Sequence, residues 1–175
     1  MIGDDQANEF SALREGDDTV DAAGGDDLVD GGDGVDDLDG GTGEDLLGNL
    51  DASAGMTVDL STQTDSHGDA LAGFEDVWGT FFDDVLTGTS GSNEIVGIDG
   101  DDDLFGLAGN DLLIGDFFDF TEGGIDTADG GDGTDECDAE TEVACEADPP
   151  PPEPSTSSIR VATSKAGAGG WLYRI

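Results

Sequence analysis

The chain repeats itself every nine residues, and a short fixed period leaves few folds open to it. Residues 31–39 read G-G-D-G-V-D-D-L-D, residues 40–48 read G-G-T-G-E-D-L-L-G, and residues 130–138 read G-G-D-G-T-D-E-C-D. All three fit G-G-x-G-x-D-x-U-x, where U is apolar. In the same register the sixth position holds Asp18, Asp27, Asp36, Asp45, Glu75, Asp84, Asn93, Asp102, Asp111, Asp126 and Asp135. The eighth holds Val20, Val29, Leu38, Leu47, Val77, Leu86, Ile95, Leu104, Leu113, Ala128 and Cys137. Every sixth residue carries a side-chain oxygen and every eighth is apolar. Residues 3–11 form a worn first copy, with Asn8 and Phe10 in those two places.

Each unit divides into a six-residue turn and a three-residue strand. The glycines let neighbouring backbones come close and permit positive φ. The strand, x-U-x, points its one apolar side chain inward and its flanks outward. Two units complete one circuit, so units on the same side recur every 18 residues, about one strand spacing apart. The expected fold is therefore all-β, a parallel β-roll. Asp18 is predicted to stack on Asp36, Asp27 on Asp45, Asp84 on Asp102, and Asn93 on Asp111.

Charge decides what such a roll must hold. The 44 acidic residues against 4 basic ones leave a formal charge of −40. That composition ordinarily reads as disorder, but here the acids are phased against glycine and an apolar residue. A metal-free chain repels itself, and a multivalent cation removes the repulsion. The turn supplies only hard oxygens, a carboxylate and exposed carbonyls, which is the donor set calcium prefers. The predicted ligands are Asp18, Asp27, Asp36, Asp45, Asp84, Asn93, Asp102, Asp111, Asp126 and Asp135. Gly32, Gly34, Gly41 and Gly43 are predicted to contribute backbone oxygens. Calcium is the one expected cofactor. Nucleic acid, anionic lipid and phosphorylated ligands are poor partners for this surface. No apolar stretch approaches the roughly 18 residues of a membrane helix, so no membrane insertion is expected.

These residues resemble the RTX, or haemolysin-type, calcium-binding repeat family over residues 3–48 and 70–138. The resemblance implies a right-handed parallel β-roll in a secreted bacterial protein exported by a one-step (type I) route. Residues 54–88 look like the connecting segment often seen between repeat blocks of that family. Ala22 and Ala23 replace the glycine pair, Phe82 replaces an inner glycine and Glu75 replaces an aspartate, so weaker turns are expected there. Neither a signal peptide in residues 1–16 nor a typical type I signal in the tail is evident.

The predicted organisation is a first repeat block at 3–48, a connecting strand and loop at 49–69, and a second block at 70–138 interrupted at 115–120. A closing strand follows at 139–147, then a proline-rich linker and disordered tail at 148–175. Within the connector, Met56, Val58 and Leu60 alternate with polar residues as in a half-buried strand, and 62–69 reads as a polar loop. Cys137 and Cys145 are read as a disulfide between the last repeat and the closing strand, over the alternative of a small buried hydrophobe. His67 reads as a solvated loop residue.

Asp99, Asp101 and Asp103 imitate the start of an EF-hand loop, but Leu104 stands where glycine is required and Asn110 where glutamate is. No catalytic residues are predicted, and the chain is not expected to be an enzyme. The leading reading is a calcium-binding structural module of a secreted bacterial protein, folding outside the cell, as a monomer or part of a longer chain. Alternatives are a calcium-stiffened adhesin or surface-binding scaffold, and the accessory part of a secreted hydrolase.

Overall fold

The computed structural model describes residues 1–11, 13, 15–117 and 124–145. The expectations for the linker and tail at 148–175, for residues 118–120 of the interruption and for residues 146–147 of the closing strand lie outside the described residues. The strands, in chain order, are β1 (Glu9–Phe10), β2 (Thr19–Asp21), β3 (Leu28–Val29), β4 (Asp37–Asp39), β5 (Leu46–Leu47) and β6 (Thr57–Asp59). Next come β7 (Thr64–Asp65), β8 (Ala70–Ala72), β9 (Asp76–Trp78), β10 (Val85–Thr87), β11 (Glu94–Ile98) and β12 (Asp103–Phe105). The remainder are β13 (Ala108–Gly109), β14 (Leu112–Asp116), β15 (Thr127–Asp129), β16 (Asp132–Gly133), β17 (Glu136–Asp138) and β18 (Thr141–Val143).

Sixteen of these strands form two stacked, mainly parallel sheets, and within the repeats the chain alternates between them; β13 and β16 pair in a small parallel sheet of their own. One sheet runs β1-β3-β5-β9-β11-β14-β17; the other runs β18-β15-β12-β10-β6-β7-β8-β4-β2. Within the repeats the partner lies 18 residues on, as in Val20↔Leu38, Val29↔Leu47, Leu86↔Leu104 and Ile95↔Leu113. The protein is a parallel β-roll. Its core is a double file of eighth-position side chains. Val20, Val29, Leu38, Leu47, Val77, Leu86, Ile95, Leu104, Leu113 and Ala128 are all buried in one cluster, and Cys137 packs partly buried against it. A strand of three residues can bury only its middle one between two sheets, and the burial of β2 and β4 follows that rule on both flanks.

Both sheets continue through the junction between the blocks, because β8 pairs with β4 and β9 with β5. The connector is where the structure departs from the sequence reading. Met56, Val58 and Leu60 are buried, and β6 joins the sheet beside β10. The polar segment 62–69, predicted as loop, instead contains β7, which runs antiparallel between β6 and β8. The polar segment must bridge those two strands, and pairing satisfies its backbone groups there. His67 is exposed in the turn after β7.

The interruption after residue 114 lengthens the rung spacing from 18 to 24 residues without breaking register, as Leu104↔Ala128 and Leu113↔Cys137. At the far end β18 adds to β15, and a disulfide joins Cys137 to Cys145 with Cα atoms 6.0 Å apart.

Candidate metal centre

The turns are built around the second and sixth positions. The second position takes positive φ in several turns whether or not it is glycine: 96° at Gly41, but also 76° at Ala23, 98° at Ile98 and 72° at Leu107, though not at Thr80 or Thr89. That bend brings rungs together, so a side chain at Gly41 would strike the carbonyl of Ala23. Position one is glycine in most turns for a different reason, Ala22 being an exception. A Cβ on Gly31 would fall 2.5 Å from Asp36 Oδ2, and one on Gly97, Gly106 or Gly115 would strike Asp102, Asp111 or Asp126 Oδ2. The first glycine of each turn is the space into which its own sixth-position carboxylate folds.

The sixth-position side chains stack in two ladders, one along each edge where the chain turns from sheet to sheet. In each, Oδ1 accepts the backbone N–H of the preceding rung. Asp36 takes Asp18 N–H at 2.7 Å, Asp45 takes Asp27 at 2.9 Å, Asp102 takes Asp84 at 2.8 Å and Asp111 takes Asn93 at 2.9 Å. Across the interruption Asp126 takes Asp102 N–H and Asp135 takes Asp111 N–H, at 2.9 and 3.0 Å. The predicted stacking pairs are therefore neighbours in the structure. Asp18 is half-buried, and the other predicted side-chain ligands are all buried. Of the four glycines named from sequence, Gly34 and Gly43 press against the carbonyls of Gly16 and Gly25, and Gly41 against that of Ala23. Gly32 has φ of 78° and donates its N–H to Asp30 Oδ1 at 3.1 Å.

The second carboxylate oxygen carries the chemistry. Oδ2 of Asp27, Asp36, Asp45, Asp102 and Asp111 is buried with no hydrogen-bond partner. A buried carboxylate oxygen without a partner is costly, and five in register imply a shared counter-charge. Among the described residues there is no lysine or arginine to provide it. Beside the orphaned oxygen lies a second oxygen. The carbonyls of Gly115 and Gly130 approach the same spaces, at Gly97 and Gly106, that hold Asp102 and Asp111 Oδ2. Carboxylate plus carbonyl, with no nitrogen or sulfur, is a donor set that fits calcium.

Crowding of like charge adds to burial in raising the carboxyl pKa values. Asp102 is pushed up to about 7, first by burial and then by Asp84, Asp126 and Asp116. Asp126 rises to about 6, and Asp45, Asp84 and Asp111 also rise, burial leading in each case.

Two predicted positions differ from the rest. Asp84 Oδ2 accepts Thr80 N–H at 2.6 Å, and Asp84 Oδ1 accepts the Thr80 hydroxyl at 3.1 Å. Asn93 turns its amide nitrogen on the carbonyl of Glu75 at 2.6 Å and on Thr89 Oγ1 at 3.0 Å. Protein groups already meet these two side chains.

Three ladder members that accept the N–H of the preceding rung were not predicted as ligands from sequence. Glu75, at a sixth position, accepts Asp45 N–H at 3.1 Å. Asp69 accepts Asp36 N–H at 2.7 Å and sits at about pKa 7, through burial and then the nearby Asp65 and Asp36. Its signal was present, since Asp69 and the following Ala-Leu-Ala match D-x-U-x. Glu140 accepts Asp126 N–H at 2.9 Å, but its strand has Glu142 at the apolar register, so no pattern marks it.

The family profile described as RTX calcium-binding nonapeptide repeat (4 copies) matches residues 14–47, 78–115 and 120–141, more than half of the chain. The chain belongs to the RTX calcium-binding repeat family. It is a calcium-binding repeat module, and calcium is its cofactor. A comparison with curated proteins finds no match.

Proposed function

We propose that this RTX module is a structural element of a secreted bacterial protein, not an enzyme, which folds when it meets calcium outside the cell. The carrying observation is the set of buried, partnerless Oδ2 atoms on Asp27, Asp36, Asp45, Asp102 and Asp111. Without a cation, these oxygens oppose the roll; with calcium between rungs they hold it. An extracellular-grade affinity, on the order of 10⁻⁴–10⁻³ M, keeps the chain expanded in the calcium-poor cytosol. The Cys137–Cys145 disulfide supports an oxidising destination.

Calcium would be held by Asp27, Asp36, Asp45, Asp102 and Asp111 with neighbouring glycine carbonyls, and also by Asp18, Asp126 and Asp135. The ion supplies charge neutralisation and cross-links consecutive rungs. The turns of Asp84 and Asn93 bind calcium more weakly, because Thr80 and the Asn93 amide already satisfy them. The middle of the roll is thus held by hydrogen bonds and its flanks by ions.

Circular dichroism tests the reading. The chain in chelator should lack β signal and gain it with calcium, while equal magnesium does little, since magnesium demands octahedral geometry and keeps its waters. A β-rich spectrum in chelator, unchanged by calcium, overturns it.

A further inference from the structure

The two outer faces of the roll are unlike. On the nine-stranded sheet the outward position before the core residue holds Thr19, Asp37, Thr57 and Asp103, all exposed. On the seven-stranded sheet the same position holds Leu28, Leu46 and Leu112, each half-buried. The outward position after the core residue holds Trp78, Val96 and Ile114 on neighbouring strands. Val96 is fully buried although it alternates with Ile95 of the core. The Trp78 ring lies 6.0 Å from that of Phe117, which is exposed. The repeat leaves both flanks of its apolar residue free, so neither the core nor the metal sites require this stripe. A contiguous apolar face rimmed by polar residues marks a contact surface.

Acids border the stripe. Asp76 Oδ1 accepts Glu94 N–H at 2.7 Å, and Glu94 Oε1 accepts the Trp78 indole N–H at 3.3 Å. A cleft of about 360 Å³ opens beside them, lined by Glu44, Asp76, Glu94, Leu112 and Glu136 among others. Charge selects the occupant. All 44 acidic residues lie within residues 1–154, so a second copy of the roll would set like charge against like, and an anionic membrane would be repelled. The complementary chemistry is an apolar segment carrying lysine or arginine. Residues 155–175 have it: Arg160, Lys165 and Arg174, no acid, and Ile159, Val161, Trp171, Leu172 and Tyr173.

Reach allows the contact. Cys145 is bonded to Cys137 of β17, the edge strand of the seven-stranded sheet. From Cys145 to Ile159 is about 14 steps, about 43 Å at the 3.1 Å per residue of a proline-rich chain. Crossing the whole sheet takes about six strand spacings, about 29 Å. We infer that the outer face of the seven-stranded sheet is a docking surface for the chain's own basic segment, residues 159–174, with its apolar residues on the leucine and Trp78–Ile114 files and its cations toward Asp76, Glu94 and Glu136. Tethering holds such a segment at an effective concentration on the order of millimolar, so weak contacts suffice. The face exists only once the strands are in register, so the docking rests on the calcium-driven folding of the repeats. It gives a role to residues whose composition alone predicts disorder.

Lys165 is the single lysine of the chain, so carbodiimide cross-linking of the full chain, mapped by mass spectrometry, reports where the segment lies. In calcium, links from Lys165 to Glu44, Asp76, Glu94 and Glu136 should outnumber those to Asp37, Asp39 and Asp103 of the other face at least fivefold. In chelator the preference should vanish. L46S combined with L112S should cut the preferred links about fivefold while the calcium-induced β signal persists, and L112S alone should lower them in the same direction if the double variant fails to fold. V85S, on the other outer face, should leave the pattern unchanged. Links spread evenly over both faces in calcium overturn the docking, as do links found only between isotopically distinct chains, which make the occupant a second copy. A chain that gains no β signal in calcium overturns the calcium reading of the repeats instead, and the docking with it.

Discussion

Replacing Asp102 by asparagine should change stability with opposite signs in the presence and absence of calcium. Its carboxyl is raised from 3.8 to about 7, by burial first and then by Asp84, Asp126 and Asp116. A group with a raised folded-state pKa contributes stability below its unfolded value and loses it as pH rises through the folded one. At pH 8 the ionised Asp102 therefore opposes the metal-free fold. At roughly 1.4 kcal/mol per unit the shift corresponds to about 4 kcal/mol, which solvent screening at the turn lowers to about 1–2 kcal/mol. The amide side chain of D102N would keep Oδ1 for the Asp84 N–H, now accepted at 2.8 Å, so the variant should stabilise the metal-free roll by about that amount. With calcium the sign reverses. Even at the dielectric constant of water, a carboxylate oxygen about 2.4 Å from a divalent ion gains roughly 3.5 kcal/mol. Asp103 is the control: exposed on a strand flank, its loss should stay within about 0.5 kcal/mol. Calcium titrations followed by circular dichroism at pH 8 should place the D102N midpoint about tenfold or more above that of D103N. In chelator with a folding osmolyte, D102N should be the more folded of the two. Coincident midpoints, or a D102N chain equally destabilised in both conditions, would refute the reasoning.

N93D removes the amide donor to the Glu75 carbonyl and supplies a carboxylate, so it should raise the calcium count per chain by one in native mass spectrometry at millimolar calcium; an unchanged count argues against hydrogen-bond satisfaction of that turn. In chelator, β signal should be greater at pH 5 than at pH 8, because Asp102 and Asp69 near 7 and Asp126 and Asp76 near 6 ionise across that window and favour the expanded chain; more β signal at pH 8 contradicts this. Reducing Cys137–Cys145 opens a loop with a separation of eight residues, worth about 2–3 kcal/mol at most. The ion count should hold while exchange in residues 124–145 rises, and two free thiols after oxidising secretion would rule the bond out of the working protein.

The nine-residue period alone determined the roll, because its apolar residue and its acid each recur where only stacked half-turns can use them. Val20 over Leu38 and the Asp84–Asp102 pair follow from counting. Counting stops at the connector and at the last turn. There the period breaks, and partners are set by which backbone groups remain to be paired. Thus β7 reverses direction between β6 and β8, Asp69 joins a ladder through the N–H of Asp36, and Glu140 closes one from a two-residue turn. Nor does the sequence separate turns that share a letter. Asp84 and Asp102 occupy the same position of the same repeat, yet Thr80 satisfies one Oδ2 and nothing satisfies the other. Residue identity sets how much charge each turn carries, and only the packed backbone decides whether a protein donor or an ion must answer it.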